Sequence, residues 1–233
     1  MRLGIQNVVF ACPGNTPESY DCGARPIATF YAELLGMRVI REDWFLIGDG
    51  RLNLGFGDGP IDYQAPRWPD SAYPQQMHLD IAVPDLAQVE VPGATLLDDS
   101  EAWHVYADPI GHPFCLHESA TDRAEIARIV IDCPEPQALA TFYSALLDLP
   151  ERVVDSPDRV VLADSPALAF QRSDAAAPRW PDPAYPQQVH LDLSTDDVPA
   201  ARDHALAVGA QPLQTTGPDH YVYADPAGHP FCI

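Results

Sequence analysis

The stretch of sequence that decides the fold is APRWPDSAYPQQMHLDI at residues 65–81, which returns as APRWPDPAYPQQVHLDL at residues 177–193. Of the 17 aligned positions, 14 are identical. A second segment, VYADPIGHPFCL at residues 105–116, returns in the same order at residues 222–233. Offsets of 112 and 117 residues are too long for a solenoid repeat, so the duplicated unit is a whole domain.

The duplication predicts two tandem domains, residues 1–118 and 126–233, joined by a short polar linker at residues 119–125. Each domain is close to the usual domain size and can bury a core of its own.

Composition and charge narrow the possible partners. The formal net charge of −21 and the isoelectric point near 4.4 argue against nucleic acid, because phosphate binding depends on clustered basic residues. Anionic membrane surfaces are disfavoured for the same reason, and no apolar run approaches the roughly 20 residues of a membrane span. No signal peptide opens the sequence, and the odd count of five cysteines indicates reduced thiols. We therefore expect a cytoplasmic protein.

Apolar periodicity and turn residues predict two β-α-β-β-β units in each repeat. In the second repeat they predict strands at residues 127–133, 159–163, 167–171 and 187–193, helices from about Glu135 and over residues 198–210, and a final hairpin. The first repeat follows the same plan, with its second helix shortened to residues 84–91. The predicted fold class is α+β, with cupped, mostly antiparallel sheets and helices on the outer face.

Strand alternation sorts the strand residues by face. In the strand at residues 75–81, one face carries Met77, Leu79 and Ile81, and the other face is polar. The apolar face packs on the helices, so the polar face looks into water or a cavity. The same rule places one polar set on the open face of each domain: Asn7, Gln76, His78 and Cys115 in the first, and Arg128, Gln188, His190 and Cys232 in the second.

The tandem arrangement, the HLD(I/L) strand and the DPxGHPFC hairpin resemble the glyoxalase/bleomycin-resistance/dioxygenase group, which is the vicinal oxygen chelate superfamily. Within it, the glyoxalase-like branch is most similar. The resemblance covers nearly the whole chain, once per domain, and implies tandem domains with cupped sheets. It does not fix a reaction, because the superfamily includes lyases, isomerases, epimerases, dioxygenases, thiol transferases and drug-sequestering proteins.

The resemblance also implies where a metal would bind, because metal-dependent members place ligands on the first, fourth, fifth and eighth strands of a domain. Here only the histidine of the fifth strand matches, and an arginine beside a cation would repel it. We therefore expect no metal and no cofactor, and no classical glyoxalase I activity. The residues at these positions are Asn7, Gly55, His78 and Cys115 in the first copy and Arg128, Ala169, His190 and Cys232 in the second.

Each candidate side chain has a structural and a functional interpretation. His78 and His190 either tie strands together through hydrogen bonds or act as a general base on a ligand. Cys115 and Cys232 are either small buried residues or nucleophiles in contact with a ligand. Arg128 offers a planar fork for a carboxylate or phosphate, or forms a salt bridge to Asp192 or Asp132 on the same face.

Amides and aromatic rings complete the predicted pocket. Gln76 and Gln188, beside the two histidines, could donate to a ligand carbonyl. Trp44 and Trp103 have no counterpart in the second repeat and are predicted to line the pocket.

These features predict a metal-independent small-molecule-binding protein of the bleomycin-resistance type, which sequesters its ligand in a cupped sheet cleft. The acidic surface would favour a cationic ligand. The alternative is a lyase or isomerase that uses a cleft histidine as general base on a small oxygenated substrate. Because the duplication supplies both halves of a cleft in one chain, a monomer is sufficient, and a homodimer is the other option.

Overall fold

The structure, a computed structural model, describes residues 2–14, 23–42, 45–57, 63–176, 178–180, 187–215 and 221–233. The elements of the first repeat are β1 (Gly4–Ala11), α1 (Ala24–Leu35), β2 (Arg38–Arg41), β3 (Phe45–Gly48), β4 (Asn53–Gly57), β5 (Met77–Val83), β6 (Thr95–Asp98), β7 (Trp103–Ala107) and β8 (Pro113–Glu118). Those of the second repeat are β9 (Glu125–Cys133), α2 (Pro136–Leu147), β10 (Arg152–Asp155), β11 (Arg159–Leu162), β12 (Ala167–Arg172), β13 (Val189–Ser194), α3 (Val198–Val208), β14 (Gln211–Thr215), β15 (Tyr221–Ala224) and β16 (Pro230–Cys232).

Each repeat divides its strands between two eight-stranded sheets. One sheet has the order β14-β15-β16-β13-β1-β4-β3-β2, and the other has the order β10-β11-β12-β9-β5-β8-β7-β6. At the two centres, β1 pairs antiparallel with β13, and β5 pairs antiparallel with β9. The predicted α+β fold with cupped, mostly antiparallel sheets is confirmed. The expectation that the polar open-face residues of one repeat share a sheet was wrong, because the two halves of each sheet come from different repeats.

The elements predicted from strong periodicity match the structure to within two residues, as β9, β11, β12 and α3 show. The predicted short second helix of the first repeat, residues 84–91, is not formed; this stretch has a bend and a single turn at residues 86–88. The sequence did not delimit β2, β6, β10 and β14, which are the outermost strands of the two sheets. These edge strands are short and largely exposed, so they lack the alternation that marks a half-buried strand.

The apolar face of β5 packs into one continuous core that includes residues of both sheets and all three helices. Two fully buried tyrosines, Tyr31 of α1 and Tyr143 of α2, cross this core. Their hydroxyls donate to Asp108 and Asp225 at 3.1 Å each. These aspartates open the repeated DPxGHP turns, and each also accepts the backbone N–H four residues further on. The duplicated Tyr–Asp pair thus anchors the turns that lead into β8 and β16.

Two glutamines join the repeats where the sheets meet. The backbone N–H of Gln76 donates to the side chain of Gln188 at 3.1 Å, and the N–H of Gln188 donates to the side chain of Gln76 at 3.0 Å. Gln188 also donates to the carbonyl of Pro74 at 2.8 Å. Both side chains are buried. The prediction that they contact a ligand is therefore corrected: their polar atoms link the two repeats.

Replacing Gln188 with Ala should lower the free energy of unfolding by about 2 kcal/mol, because it leaves a buried N–H and a buried carbonyl without partners. Urea denaturation would measure the change. As a control, Gln211→Ala removes an exposed glutamine and should change stability by less than about 0.5 kcal/mol. Equal effects of the two substitutions would contradict the assigned role of Gln188.

Candidate functional site

Polar side chains cluster on the open face of each sheet, at the centre where strands from different repeats pair. In one sheet, Arg128 of β9 lies opposite Asp80 of β5, and Asp80 lies opposite Cys115 of β8. Residues in register on adjacent strands project to the same face, so these three side chains form one row. We call this cluster the arginine cup; it consists of His78, Asp80, Cys115, His117, Arg128 and Arg159.

Asp80 is the centre of the arginine cup and is only 2% exposed. Its Oδ2 lies 3.2 Å from Nη1 of Arg128 and 3.2 Å from Nη2 of Arg159. Its Oδ1 lies 3.2 Å from Nε2 of His117 and 3.5 Å from Nε2 of His78. One buried carboxylate therefore contacts two guanidinium groups and two imidazoles.

These contacts set the charge states in the cup. Burial tends to raise the pKa of Asp80, but hydrogen bonds from His117 and His78 hold that pKa far below its usual range. Burial likewise tends to lower the pKa of His78, but hydrogen bonds to Asp80 and Cys115 outweigh it and raise the pKa to about 10. At neutral pH, Asp80 is thus ionised and His78 carries a positive charge.

Apolar and aromatic groups complete the surface of the arginine cup. Val130, Val161 and Ala169 form a small buried cluster separate from the main core. Alternation places them on the open face, beside the polar row. On the other side, Trp103 of β7 lies opposite His117 in the ladder, with ring centroids 6.1 Å apart. The prediction that Trp103 lines a ligand pocket stays a prediction.

A cavity of about 450 Å³ lies near the arginine cup, although no residue of the cup lines it. Its lining includes Gln75, whose side chain lies 3.2 Å from Nδ1 of His78, and Gln171, which accepts a hydrogen bond from Arg159 at 2.9 Å. Asp132 also lines it, and burial raises the pKa of that carboxyl. The cavity provides room for a small molecule next to the polar row.

The other sheet carries a second cluster, the asparagine cup, which consists of Asn7, Asn53, His190, Asp192 and Cys232. Asp192 of β13 lies opposite Asn7 of β1 and opposite Cys232 of β16. Asn7 donates to Oδ2 of Asp192 at 2.8 Å and accepts from Asn53 at 2.9 Å. His190 Nε2 lies 3.3 Å from Oδ1 of Asp192. This His–Asp–Cys arrangement repeats that of the arginine cup, with Asn7 in the position of Arg128.

The two cups differ in electrostatics. In the asparagine cup, burial and the adjacent charge of Asp192 raise the pKa of the Cys232 thiol to about 12. The side chain of His190 is 15% exposed, whereas that of His78 is 4% exposed. The duplicated geometry therefore carries different charges and different access in its two copies.

Each cup combines predicted site residues from both repeats, instead of residues from one repeat alone. It brings Arg128 together with His78 and Cys115, and Asn7 together with His190 and Cys232. Trp44 lies outside the described residues.

Sequence reasoning placed Asp80 and Asp192 on the polar faces but did not include them in the site, and it missed Arg159 and His117. The HxD pair in the sequence could have identified Asp80 and Asp192 as site residues, because residues two apart on a strand lie on the same face. The contact of Arg159 with Asp80 spans 79 residues and has no local signature.

The fold and the match to a family model identify the protein family. The fold consists of two eight-stranded cupped sheets, each shared by the two repeats, and three of its four strand units carry a helix among the described residues. A family model described as glyoxalase-like domain matches residues 21–117 and 128–233, so the chain is a member of the glyoxalase-like domain family. No curated protein matches the chain.

Solved structures share the fold at low sequence identity. Glyoxalase I from Zea mays is 16% identical, with a TM-score of 0.64, and the match covers 99% of this chain and 91% of that one. A putative dioxygenase from Bacillus subtilis is 14% identical, with a TM-score of 0.60, and the match covers 98% of this chain and 83% of that one. These likenesses support the fold alone. No helix among the described residues is long and apolar enough to cross a membrane.

The superfamily implies a metal ion, and the two cups differ in how well they fit one. In each cup, nitrogen, oxygen and sulfur donors of a His, an Asp and a Cys lie within 4.8 Å of one another. In the arginine cup, two guanidinium groups already contact Asp80 and would repel a divalent cation, so that donor set does not fit. In the asparagine cup, His190, Asp192 and Cys232 fit a zinc-type ion, which would act there as a Lewis acid.

Titration with Co²⁺ would test this difference between the cups. We expect one equivalent per chain, with a sulfur-to-cobalt absorption band, because the two guanidinium groups at Asp80 oppose a cation in the arginine cup, whereas the asparagine cup offers His190, Asp192 and Cys232 as donors. The band should be lost in Cys232→Ala and retained in Cys115→Ala. Loss of the band in Cys115→Ala, or binding of two equivalents, would contradict the assignment.

Stability should depend on pH through His78, because its pKa is raised from its usual value to about 10 in the folded state. The contribution of protonated His78 to the free energy of unfolding is fully present below the pKa of histidine in the unfolded chain, about 6.5. It is lost as the pH rises through the pKa of His78 in the folded state. The difference in unfolding free energy between wild type and His78→Gln should therefore narrow between pH 6 and pH 10. Urea denaturation at several pH values would measure it, and a constant difference would refute the charged state of His78.

Proposed function

We propose that this protein binds a small oxygenated molecule in a cupped sheet cleft, and that the arginine cup binds an anionic ligand, such as a small 2-oxo acid, without a metal. The observation that carries the proposal is the contact of two guanidinium groups, Arg128 and Arg159, with the single carboxylate of Asp80. This arrangement occupies the family position at which a metal would otherwise be held.

The charge balance of the cup favours an anion. Arg128, Arg159 and His78 contribute positive charge around Asp80, whereas the nearby Asp132 has its pKa raised by burial. A partly buried surplus of positive charge is screened less than surface charge, so it attracts a carboxylate effectively. The cationic ligand expected from the overall charge of −21 is therefore less well supported for this cup.

The arginines are also accessible. The side chain of Arg128 is 37% exposed and that of Arg159 is 35% exposed, although Asp80 beneath them is buried. Arg128 uses Nη1 for Asp80, and its Nη2 and Nε make no hydrogen bond among the contacts of the described residues. Such a fork matches the two oxygens of a carboxylate.

His78 supports binding more than base catalysis in this cup. Because its pKa is raised to about 10, the imidazole is protonated at neutral pH and can donate a hydrogen bond but cannot accept a proton. Because its Nε2 lies at Asp80 and its Nδ1 at Gln75, the buried imidazolium supports binding through its positive charge and not through a direct contact with a ligand.

The second candidate function, a lyase or isomerase with a histidine base, is favoured by His190. Its imidazole is more accessible than that of His78, and Asp192 at 3.3 Å could orient the ring. The general-base role predicted for a histidine is thus better placed in the asparagine cup.

Thermal-shift and calorimetric titrations in the presence of EDTA would test the proposed binding, using pyruvate as the anionic probe and a cationic antibiotic as the opposite probe. Pyruvate should raise the melting temperature. Arg128→Gln should weaken pyruvate binding about tenfold or more, because a charge-assisted hydrogen bond is lost. Arg38→Gln, which removes an exposed arginine of the other sheet, should leave binding unchanged.

Three outcomes would count against the anion-binding proposal. These are stabilisation by the cationic antibiotic alone, stabilisation by pyruvate only after a divalent ion is added, and equal binding by wild type and Arg128→Gln. Exchange of the methyl protons of pyruvate with deuterated solvent, abolished in His190→Gln, would favour the isomerase or lyase instead.

A further inference from the structure

Asp132 is a buried carboxylate on the open face of the sheet that holds the arginine cup, and it belongs to neither cup. It lies four residues beyond Arg128 on β9, so both side chains project to the same face. Asp132 is only 7% exposed, and its Oδ1 accepts a hydrogen bond from Gln171 at 2.5 Å. The amide of Gln75 approaches the carboxyl, but Oδ2 has no hydrogen-bond partner of good geometry among the described residues. A buried acceptor without a partner is unfavourable, so this oxygen points to a bound donor.

The other sheet has no carboxylate at the equivalent place. Asp132 lies opposite Gln171 in one sheet, and Ala11 lies opposite Gly57 in the other. The two places correspond, because the backbone N–H of Asp132 and that of Ala11 each donate to the carbonyl of the buried glutamine of the other repeat. The Asp–Gln pair is therefore a feature of the sheet that carries the arginine cup.

A single amide group connects Asp132 to the arginine cup. Gln171 accepts a hydrogen bond from Nη1 of Arg159 at 2.9 Å and donates to Oδ1 of Asp132 at 2.5 Å. Because only the two bonds of that amide lie between these contacts, Nη1 of Arg159 is within about 8 Å of Oδ1 of Asp132. An extended chain of about four to six carbon atoms spans roughly 4–6 Å. A carboxylate held by the arginines can thus extend its other end to Asp132.

The surroundings of Asp132 suit a hydroxyl group better than a cation. Asp132, Gln75 and Gln171 line the cavity of about 450 Å³ near the arginine cup. The positive charge of His78 acts on Asp132 and opposes a second cation beside it. A hydroxyl group is neutral, and it can donate to the carboxylate while it accepts from an amide.

We infer that Asp132 binds a hydroxyl group of the ligand, and that the ligand is a hydroxylated carboxylate of about four to six carbon atoms, a length set by the separation of Arg159 and Asp132. The inference rests on the proposed function, because it uses the arginine cup as the site of the carboxylate. It adds the cavity as the site of the hydroxylated chain. Asp132 would then determine which small anions bind well, whereas the arginines bind any of them.

Calorimetric titration of the full chain with gluconate and with hexanoate tests the inference, because both are six-carbon carboxylates and only gluconate carries hydroxyl groups. We expect gluconate to bind about tenfold more tightly than hexanoate, since a hydrogen bond to a charged group contributes that much. A third probe, 6-aminohexanoate, carries an ammonium group at the end of the same chain and should bind more weakly than gluconate. These comparisons use the wild-type protein and need no variant.

Asp132→Ala gives the residue of the other sheet at this place and should reduce the preference for gluconate over hexanoate to about twofold or less, because the acceptor is removed. Pyruvate affinity should change less than about threefold, because pyruvate is too short to extend from the arginines to Asp132. As a matched control, Asp99→Ala removes an exposed carboxylate from the loop between β6 and β7 and should keep the full preference.

Three results would overturn the inference: hexanoate binding as tightly as gluconate, a preference that Asp132→Ala leaves unchanged, and tighter binding of 6-aminohexanoate than of gluconate. The proposed function fails differently. Pyruvate binding that depends on Arg128, without a preference for gluconate, would refute only the role of Asp132. A gluconate preference that depends on Asp132 but not on Arg128 would support the hydroxyl site and refute the arginine cup as the carboxylate site.

Discussion

The antiparallel pairing of β5 with β9, and of β1 with β13, is the constraint on which both cups depend. It brings Asp80 of the first repeat opposite Arg128 of the second, and Asp192 of the second repeat opposite Asn7 of the first. Opposed residues in an antiparallel ladder lie about 5 Å apart, which is close enough for direct side-chain contact. Neither cup could be built from one repeat alone. The reciprocal glutamine contacts stabilise this junction and thereby hold both cups in register.

The two cups share one geometry, so the difference between Asn7 in one cup and Arg128 in the other can be compared directly. Asn7 satisfies Asp192 with a neutral amide, whereas Asp80 contacts two cations in the equivalent row. A buried ion pair is often no more stabilising than a neutral replacement, because desolvation offsets the attraction. In the asparagine cup, an amide takes the place of one of these cations. The proposed carboxylate ligand would give the arginines a role that stabilisation of Asp80 alone does not require.

Much of the fold could be predicted from the sequence, but the composition of each cup could not. Alternation assigned His78 and Asp80 correctly to the open face, because the period of a strand depends only on local geometry. It could not reveal which strands pair, since the repeats offer two nearly identical partners for each ladder. The edge strands escaped detection because exposed strands carry little hydrophobic pattern. Arg159 was missed because its contact with Asp80 depends on sheet order, which no local pattern encodes.

The acidic character of the chain and the positive surplus of one cup act over different distances. Surface charges are screened beyond a Debye length of about 8 Å at physiological ionic strength, whereas groups partly buried around Asp80 interact more strongly. The net charge of −21 therefore repels large polyanions over the whole surface. A small anion that reaches the arginine cup meets a local field of the opposite sign. If the ligand is the small anion proposed above, this combination would select it by size as well as by charge, since a molecule small enough to enter the cup escapes the repulsion of the surrounding surface.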